Sequence, residues 1–464
     1  MLLVLRKLRG VVFAIAALAT AAAGPRPFSP AERASVVDFL ARTDGAASER
    51  AALQDDAALR TALLQRARVE LGQRLRPSSV DRRWAIQPPQ RNVEAEFEAA
   101  QGEGRLATWL AQLSPSAPDY ARLREFRRSY AVIAGRGGWE PLPAWPKLQA
   151  GDRHDQVSAL RQRLAAEGYG NSPAPDPQLF DPALRQALLA FQRTHGLLED
   201  GVLGPATRSA LNVPVTERLD QLDANLERWR WLPRAMPADR FEVDVGGASA
   251  TLYRAGEPIL EMKAVVGDRR HHTPMFASRI EAVIFNPAWN VPGSIAAKEI
   301  LPRVRREPGY LARNGFTLQG GRLQQKPGEK NALGVLKFDL PSPFGVYLHD
   351  TPSKTGFARS DRALSHGCMR LEKPRELAVL LLRPQGGSAE TVEAAIRAGR
   401  TSRVQLKSPM PLYVVYRTVT VGRTGEAVFR PDPYGWDSKL TAALRSASPR
   451  DPAQAPASAS DCSE

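Results

Sequence analysis

The sequence predicts an α+β protein of several domains: a helical N-terminal region, a small three-helix unit, and a β-rich, sandwich-like domain with a helical insert. Three observations carry this reading. Apolar residues recur at helical spacing from about Pro30 to Arg136 and again, between turn signals, as far as residue 213. Beyond Arg240 the texture changes to short alternating runs between Gly-containing turns, the mark of antiparallel strands. A chain of 464 residues suits two to four domains, and 43% hydrophobic with 24% charged residues excludes a fibrous or wholly disordered chain.

The first residues, MLLVLRKLRGVVFAIAALATAAAG, place Arg6, Lys7 and Arg9 before an apolar run from Val11 to about Ala19 and small residues that offer a cut near Ala23. Residues 1–23 therefore read as an export signal. The run is too short to cross a hydrocarbon core of about 30 Å, and no later segment is long enough, so no integral membrane span is expected. An uncleaved anchor is the alternative. The formal charge of +15 raises the question of nucleic acid, but the arginines are spread along the chain with no dense basic block and interleaved aromatics, so no nucleic-acid partner is expected. A diffuse positive charge instead favours an anionic polymer outside the cytoplasm. Two cysteines, Cys368 and Cys462, exclude a disulfide framework by number.

Along the chain, residues 30–140 read as a helical scaffold, with Leu53, Leu59, Leu63 and Leu64, then Leu106, Trp109, Leu110 and Leu113 on its apolar stripes. The Gly-, Pro- and Trp-dense stretch Arg136 to Arg153 is a connector. In residues 145–213, Val157, Leu160 and Leu164 form one stripe and Leu184, Leu188 and Phe191 another, the latter opened by the cap Asp181 and the first-turn Pro182. Pro205 opens a third short helix. Residues 240–436 form the β-rich domain, interrupted by an insert at about 293–330 whose helical part runs from Gly293 to Phe316; Arg423 to Glu426 make a hairpin turn. Residues 446–464, rich in Ala, Ser and Pro, read as a disordered tail. His154, His195 and the pair His271-His272 read as surface residues.

The chemistry is expected at SHGCMRL, Ser365 to Leu371. In FGVYLHD, a period of two sets Phe344, Val346 and Leu348 on one face and Tyr347 and His349 on the other. Cys368 follows His349 by nineteen positions, and a strand, excursion and return can bring the two together. An adjacent imidazole takes the proton of a thiol, and a cation such as Arg370 favours the thiolate. Gly367 lets the backbone turn beside the sulfur, so that the amides of Gly367 and Cys368 can face an oxyanion. Arg370 can hold a substrate carboxylate in a bidentate fork. Trp289 and Tyr347 are candidates to flank the cleft, although strand aromatics more often pack.

These motifs also carry resemblances. Gly151 to Asn212, with its turn DGVLGPAT, resembles the three-helix peptidoglycan-binding domain of cell-wall enzymes; a plain helical spacer is the alternative. HDTPSKTGFARSDRALSHGCMRLEKPRELA resembles the signature of the L,D-transpeptidases of the YkuD type, and the whole arrangement is similar to their large multidomain Gram-negative branch. The resemblance implies that Cys368 is the acylated nucleophile and His349 its general base, with His366 and Gly367 shaping the site. Arg370 stands where many shorter members carry Asn. The large branch often has Ser where this chain has His366, which leaves that histidine without a carried-over role. The implied enzyme is periplasmic, needs no cofactor and forms 3-3 crosslinks in peptidoglycan through a cysteine acyl-enzyme, with the insert as a lid against water. Its first acyl acceptor is a second stem peptide. A wall-protein lysine, a free D-amino acid and water (L,D-carboxypeptidation) remain open, as do partner synthases. By the same resemblance a carbapenem is expected to acylate the thiol.

Other readings stay in view. His349, His366 and Cys368 are also usual zinc ligands, but no metallopeptidase-like Glu or Asp motif accompanies them, so no metal is expected. A Cys368–Cys462 disulfide would silence the thiol. A noncatalytic peptidoglycan-binding protein is a third reading, opposed by the intact set His349, Gly367, Cys368 and Arg370.

Overall fold

The computed structural model describes residues 26–43, 55–144, 147–170 and 174–447. The expected export signal, Leu53 and Cys462 lie outside the described residues, as does the expected tail beyond Ala447.

The N-terminal helices begin where the sequence supplies caps. Ser29 and Glu32 form a reciprocal capping box on the helix Pro30–Arg42, and Asp55 and Asn92 cap Asp56–Glu70 and Val93–Gly102. These elements and Leu106–Ala111 bury Val36, Phe39, Leu59, Leu63, Phe97 and Trp109 in one core, with Leu64 at its margin. The next helix, Pro118–Gly135, instead lays Tyr120, Leu123 and Tyr130 against the core of the β domain. The segment before it does the same: Trp84 bridges to Met275 as a short parallel pair, packs at a tilt against Trp231 and meets Trp436 edge to face.

The three-helix unit comprises Val157–Ala166, Pro182–Thr194 and Pro205–Leu211 around Leu160, Leu164, Phe180, Leu188 and Phe191. Asp181 accepts a bond from the Leu184 amide (2.8 Å) at the start of the second helix. His195, expected at the surface, is buried at 4% exposure: its ring stacks on Phe191 and faces Phe429 of the β domain. Burial holds it neutral, with its pKa well below the ordinary histidine value.

A buried helix, Val215–Arg230, joins this unit to the β domain and had no counterpart among the expected elements. Its periodicity is hard to read because its buried positions include Arg218, Gln221, Asn225, Glu227, Arg228 and Arg230. Each reaches a partner: Arg228 meets Asp437, Asn225 donates to Thr418, and Arg230 meets Glu70 of the N-terminal region.

The β domain is a nine-stranded sheet with strand order β10-β3-β11-β9-β8-β4-β12-β1-β2, where β1 is Arg240–Asp244, β2 Ser249–Arg254, β3 Glu257–Gly267, β4 Phe276–Phe285, β8 Leu336–Asp339, β9 Leu348–His349, β10 Ala363–Ser365, β11 Met369–Leu371 and β12 Ser402–Val415. β2 also pairs with β3, so the sheet closes on itself and the expected sandwich is joined at its edges. Irregular register in β2 and β12 accompanies the bending. The expected hairpin is present as Val419–Val421 paired with Ala427–Phe429. The helix Trp436–Ser446 carries the chain onward and buries Trp436, Leu440 and Leu444.

The insert between β4 and β8 is only partly helical. Short helical turns from Gly293 to Arg313, including a π-helical turn Ala296–Ile300, are followed by a three-stranded sheet of β5 (Trp289–Asn290), β7 (Arg322–Gln325) and β6 (Phe316–Gln319). It has a small core of its own, Val291, Ile300, Phe316 and Leu323.

Candidate active site

β9 is two residues long because Gly345, at φ +65°, turns the chain out of extended conformation just before it. Phe344, Val346 and Leu348 nevertheless all meet the core, as the alternation predicts. β11 runs parallel to β9, pairing Met369 with Leu348 and Arg370 with His349, while β8 runs antiparallel and pairs Lys337 with His349. Leu348, Met369, Leu371 and Phe338 enter the core. By alternation, Tyr347, His349, Cys368, Arg370 and Lys337 share the opposite face. This register brings together, on three adjacent strands, the residues expected to carry the chemistry.

His349 is 4% exposed, and its Nδ1 lies 2.5 Å from the Asp350 carbonyl oxygen. A carbonyl only accepts, so Nδ1 carries the proton and Nε2 the lone pair. Burial, reinforced by the Arg370 cation, pushes the imidazole pKa down to about 3. Asp350 is held in turn by the Val335 amide (3.0 Å) and Lys354 (2.5 Å). Gly334, at φ +62°, lets the backbone reach it: a Cβ there would sit 2.4 Å from the Asp350 carboxylate.

Cys368 is half-buried and unbridged among the described residues. Burial pushes its thiol up, outweighing the Tyr347 backbone and hydroxyl, Lys337 and Arg370. The cations therefore do not make a resting thiolate. The resting pair is a neutral thiol and a neutral imidazole. The Tyr347 hydroxyl, raised well above the ordinary phenol value by burial, bonds to the side chains of both Trp289 and Cys368. Trp289 thus joins the site from the base of the insert. Lys337 places its ammonium 4.4 Å from the Tyr347 ring centroid. Burial lowers the pKa of Arg370, with Cys368 and Glu299 as its electrostatic counterweights, and its buried Nε has no hydrogen-bond partner among the described residues.

Gly367 adopts φ +105°, a conformation that favours glycine. Its amide donates to Ser365 Oγ (3.1 Å), and that hydroxyl donates to the Cys368 carbonyl (2.6 Å). The expected pair of oxyanion donors is thus reduced to the Cys368 amide, because the Gly367 amide is already engaged. The Gly367 carbonyl accepts from Thr273 Oγ1 (2.8 Å), which also accepts from the Gly267 amide.

The His271-His272 loop, expected as plain surface, braces this turn. His272 stacks on Tyr434 at 4.1 Å and its Nδ1 lies 2.8 Å from an Arg83 guanidinium nitrogen; Tyr434 donates to the Gly267 carbonyl. His271 lies 4.6 Å, ring to ring, from His366. His366 Nε2 meets Glu299 Oε1 of the insert at 2.6 Å. Among the described residues no group of three His, Cys, Asp or Glu is arranged to hold a metal ion.

Lys337 and Glu299 were missed by the sequence reading. Alternation in VLKFDL, with Leu336 and Phe338 inward, could have placed Lys337 outward. Nothing local marks Glu299, whose role arises from tertiary contact.

Residues 238–397, which contain every one of these side chains except Arg83 and Tyr434, match the family described as the L,D-transpeptidase catalytic domain. The chain carries an L,D-transpeptidase catalytic domain. Residues 153–211 match the "Putative peptidoglycan binding domain" and residues 14–126 the scaffold domain. Among curated proteins, a "Putative L,D-transpeptidase" of Haemophilus influenzae is 31% identical over 244 residues, 48% of this chain and 49% of that protein. An N-acetylmuramoyl-L-alanine amidase of Mycobacterium tuberculosis is 40% identical over 72 residues, 14% of this chain and 18% of that protein. The chain thus spans about half the length of the first relative. Of solved structures, an L,D-transpeptidase from Mycobacterium smegmatis is similar with a TM-score of 0.21 and 17% identity, covering 39% of this chain and 59% of that one. Within residues 238–397, then, the turn that carries Cys368 is braced by the N-terminal region through Arg83. Among the described residues no helix is long and apolar enough to cross a membrane.

Proposed function

We propose that this protein is a periplasmic L,D-transpeptidase that forms 3-3 crosslinks between peptidoglycan stem peptides through an acyl-enzyme on Cys368. The observation that carries the reading is the β8-β9-β11 register, which sets His349, Cys368, Tyr347 and Arg370 on one face within the L,D-transpeptidase domain.

In the first step the thiol attacks the carbonyl carbon at the L-centre of diaminopimelate in a tetrapeptide stem, and His349 Nε2 takes the S–H proton as the C–S bond forms. A neutral imidazole with Nδ1 bonded to Asp350 is the protonation state a general base requires. The oxyanion faces the Cys368 amide, a donor of the kind worth roughly 3 to 4 kcal/mol in other acyl transfers. Collapse breaks the C–N bond, and the imidazolium protonates the departing D-Ala amine. In the second step a neutral amine of another stem attacks the thioester, the C–S bond breaks, and the amine proton passes through His349 to the sulfur. Arg370 and Lys337 are the cations available to the carboxylates of the donor stem. The insert shields the thioester from water.

The deciding experiment is Cys368→Ala with muropeptide analysis of tetrapeptide-containing peptidoglycan. The variant should form no diaminopimelate-to-diaminopimelate links. Links that persist in it would remove the thiol from the mechanism.

A further inference from the structure

The site is divided by charge. On the sheet side stand two cations, Lys337 and Arg370. From the insert comes Glu299, on the π-helical turn Ala296–Ile300, a widened turn of the kind frequent at functional sites, with Arg303 of the following turn within its field. Its Oε1 meets His366 Nε2, two residues before the nucleophile, and its field reaches Arg370. His366 is backed by His271, whose Nδ1 lies 3.0 Å from Asp268. Glu299 Oε2 takes no hydrogen bond among the described residues. Activation of the thiol uses His349, and the donor's carboxylates call for cations, so the donor half of the reaction has no use for this carboxylate. A carboxylate at that place repels the donor's anionic groups and attracts an ammonium.

We infer that Glu299, oriented by His366, is the acceptor subsite and takes the primary ammonium group of the attacking strand. This rests on the L,D-transpeptidase reading and deepens it. The ammonium gives one proton to the Glu299–His366 pair and thence to solvent. The freed lone pair attacks the thioester carbonyl, the C–S bond breaks, and the second proton passes through His349 to sulfur. Water carries no positive charge and gains nothing from Glu299, so the same contact favours crosslinking over hydrolysis.

The test uses the full protein with a disaccharide-tetrapeptide as donor and acceptor, and the same compound N-acetylated on its free side-chain amine as a donor that cannot accept. For Glu299→Gln the acceptor KM should rise about tenfold, the size expected for loss of one charge-assisted contact of about 1.4 kcal/mol. The ratio of crosslinked to hydrolysed product should fall with it, while acylation by the acetylated donor stays within about twofold. Glu299→Asp should recover part of the acceptor affinity. An unchanged acceptor KM and product ratio would overturn the inference. So would equal slowing of acylation and transfer, which would make Glu299 a support of the insert. If the wild-type protein forms no acyl-enzyme with the acetylated donor, the L,D-transpeptidase reading itself fails.

Discussion

At the scale of single residues the site depends on burial overruling charge. The cations near Cys368 suggest a thiolate held ready, yet burial pushes the thiol up and the imidazole down. Between a His349 pKa of about 3 and the raised thiol, neither group changes charge. The rate of Cys368 acylation by a carbapenem should therefore be flat from pH 5 to pH 8, followed by stopped-flow or intact mass. An acid limb centred between pH 6 and 7 would mean that an ordinary imidazole, not the buried one, controls the step. Replacing His349 with Gln should slow acylation about 10²- to 10⁴-fold at pH 7, the usual worth of a positioned base. Gly367→Ala forces a side chain into φ +105°, so about 1–3 kcal/mol of local strain should slow alkylation of Cys368 by iodoacetamide and lower the melting temperature. The grouping of Cys368, His349 and Arg370 on adjacent strands was legible, because their residue types and spacing point to one site. The engagement of the Gly367 amide by Ser365 was not, since it depends on the fold of the turn.

At the scale of elements, the strands that matter are two to four residues long, and short strands leave a faint pattern. LHD and β8 were legible through their alternation, whereas MRL, three residues long, was not read as a strand. The helix Val215–Arg230 was not legible, because its buried face is polar and finds its partners in several distant segments, among them Glu70, Tyr120, Thr418 and Asp437. The helical part of the insert, Gly293 to Phe316, was legible, but the hairpin of Phe316–Gln319 and Arg322–Gln325 that follows it was not, since its sheet is completed by Trp289–Asn290 from before the insert. His195 misled for the same reason: its apolar cover, Phe429, lies far along the chain. That contact has a consequence in acid. The folded-state pKa of His195 is depressed, so its contribution to stability is complete above the unfolded value near 6.5 and declines as pH falls below it. His195→Leu should flatten part of the fall in melting temperature between pH 7 and pH 5; a slope equal to that of the wild type would contradict the buried neutral ring.

At the scale of the molecule, the N-terminal region is wedged onto the catalytic domain by paired buried charges as well as by tryptophans. Glu70 is fully buried and meets Arg66 and Arg230, with Ser114 and Tyr120 donating to it. Burial raises its pKa, but Arg230, Arg66 and Arg124 win and hold it at about 2. Glu70→Ala would leave buried Arg230 with Glu227 as its remaining carboxylate, and since a fully one-sided break of a buried pair costs about 3–5 kcal/mol, the loss should lie below that range. Urea unfolding should record that loss as a lower midpoint, and a midpoint within error of wild type would mean the wedge is not held this way. The multidomain layout was legible from shifts of pattern along the chain; the contact of Arg83 and Trp84 with the loop that supports the Cys368 turn was not, because it joins segments about 190 positions apart. All of this framework serves one sulfur, and the most direct measurement is the mass of the whole protein quenched in acid during turnover of a disaccharide-tetrapeptide. The account predicts an adduct equal to the substrate less D-Ala, mapped to the peptide containing Cys368 and absent from Cys368→Ala. Turnover with no adduct on that cysteine, or with the adduct on another residue, would contradict it.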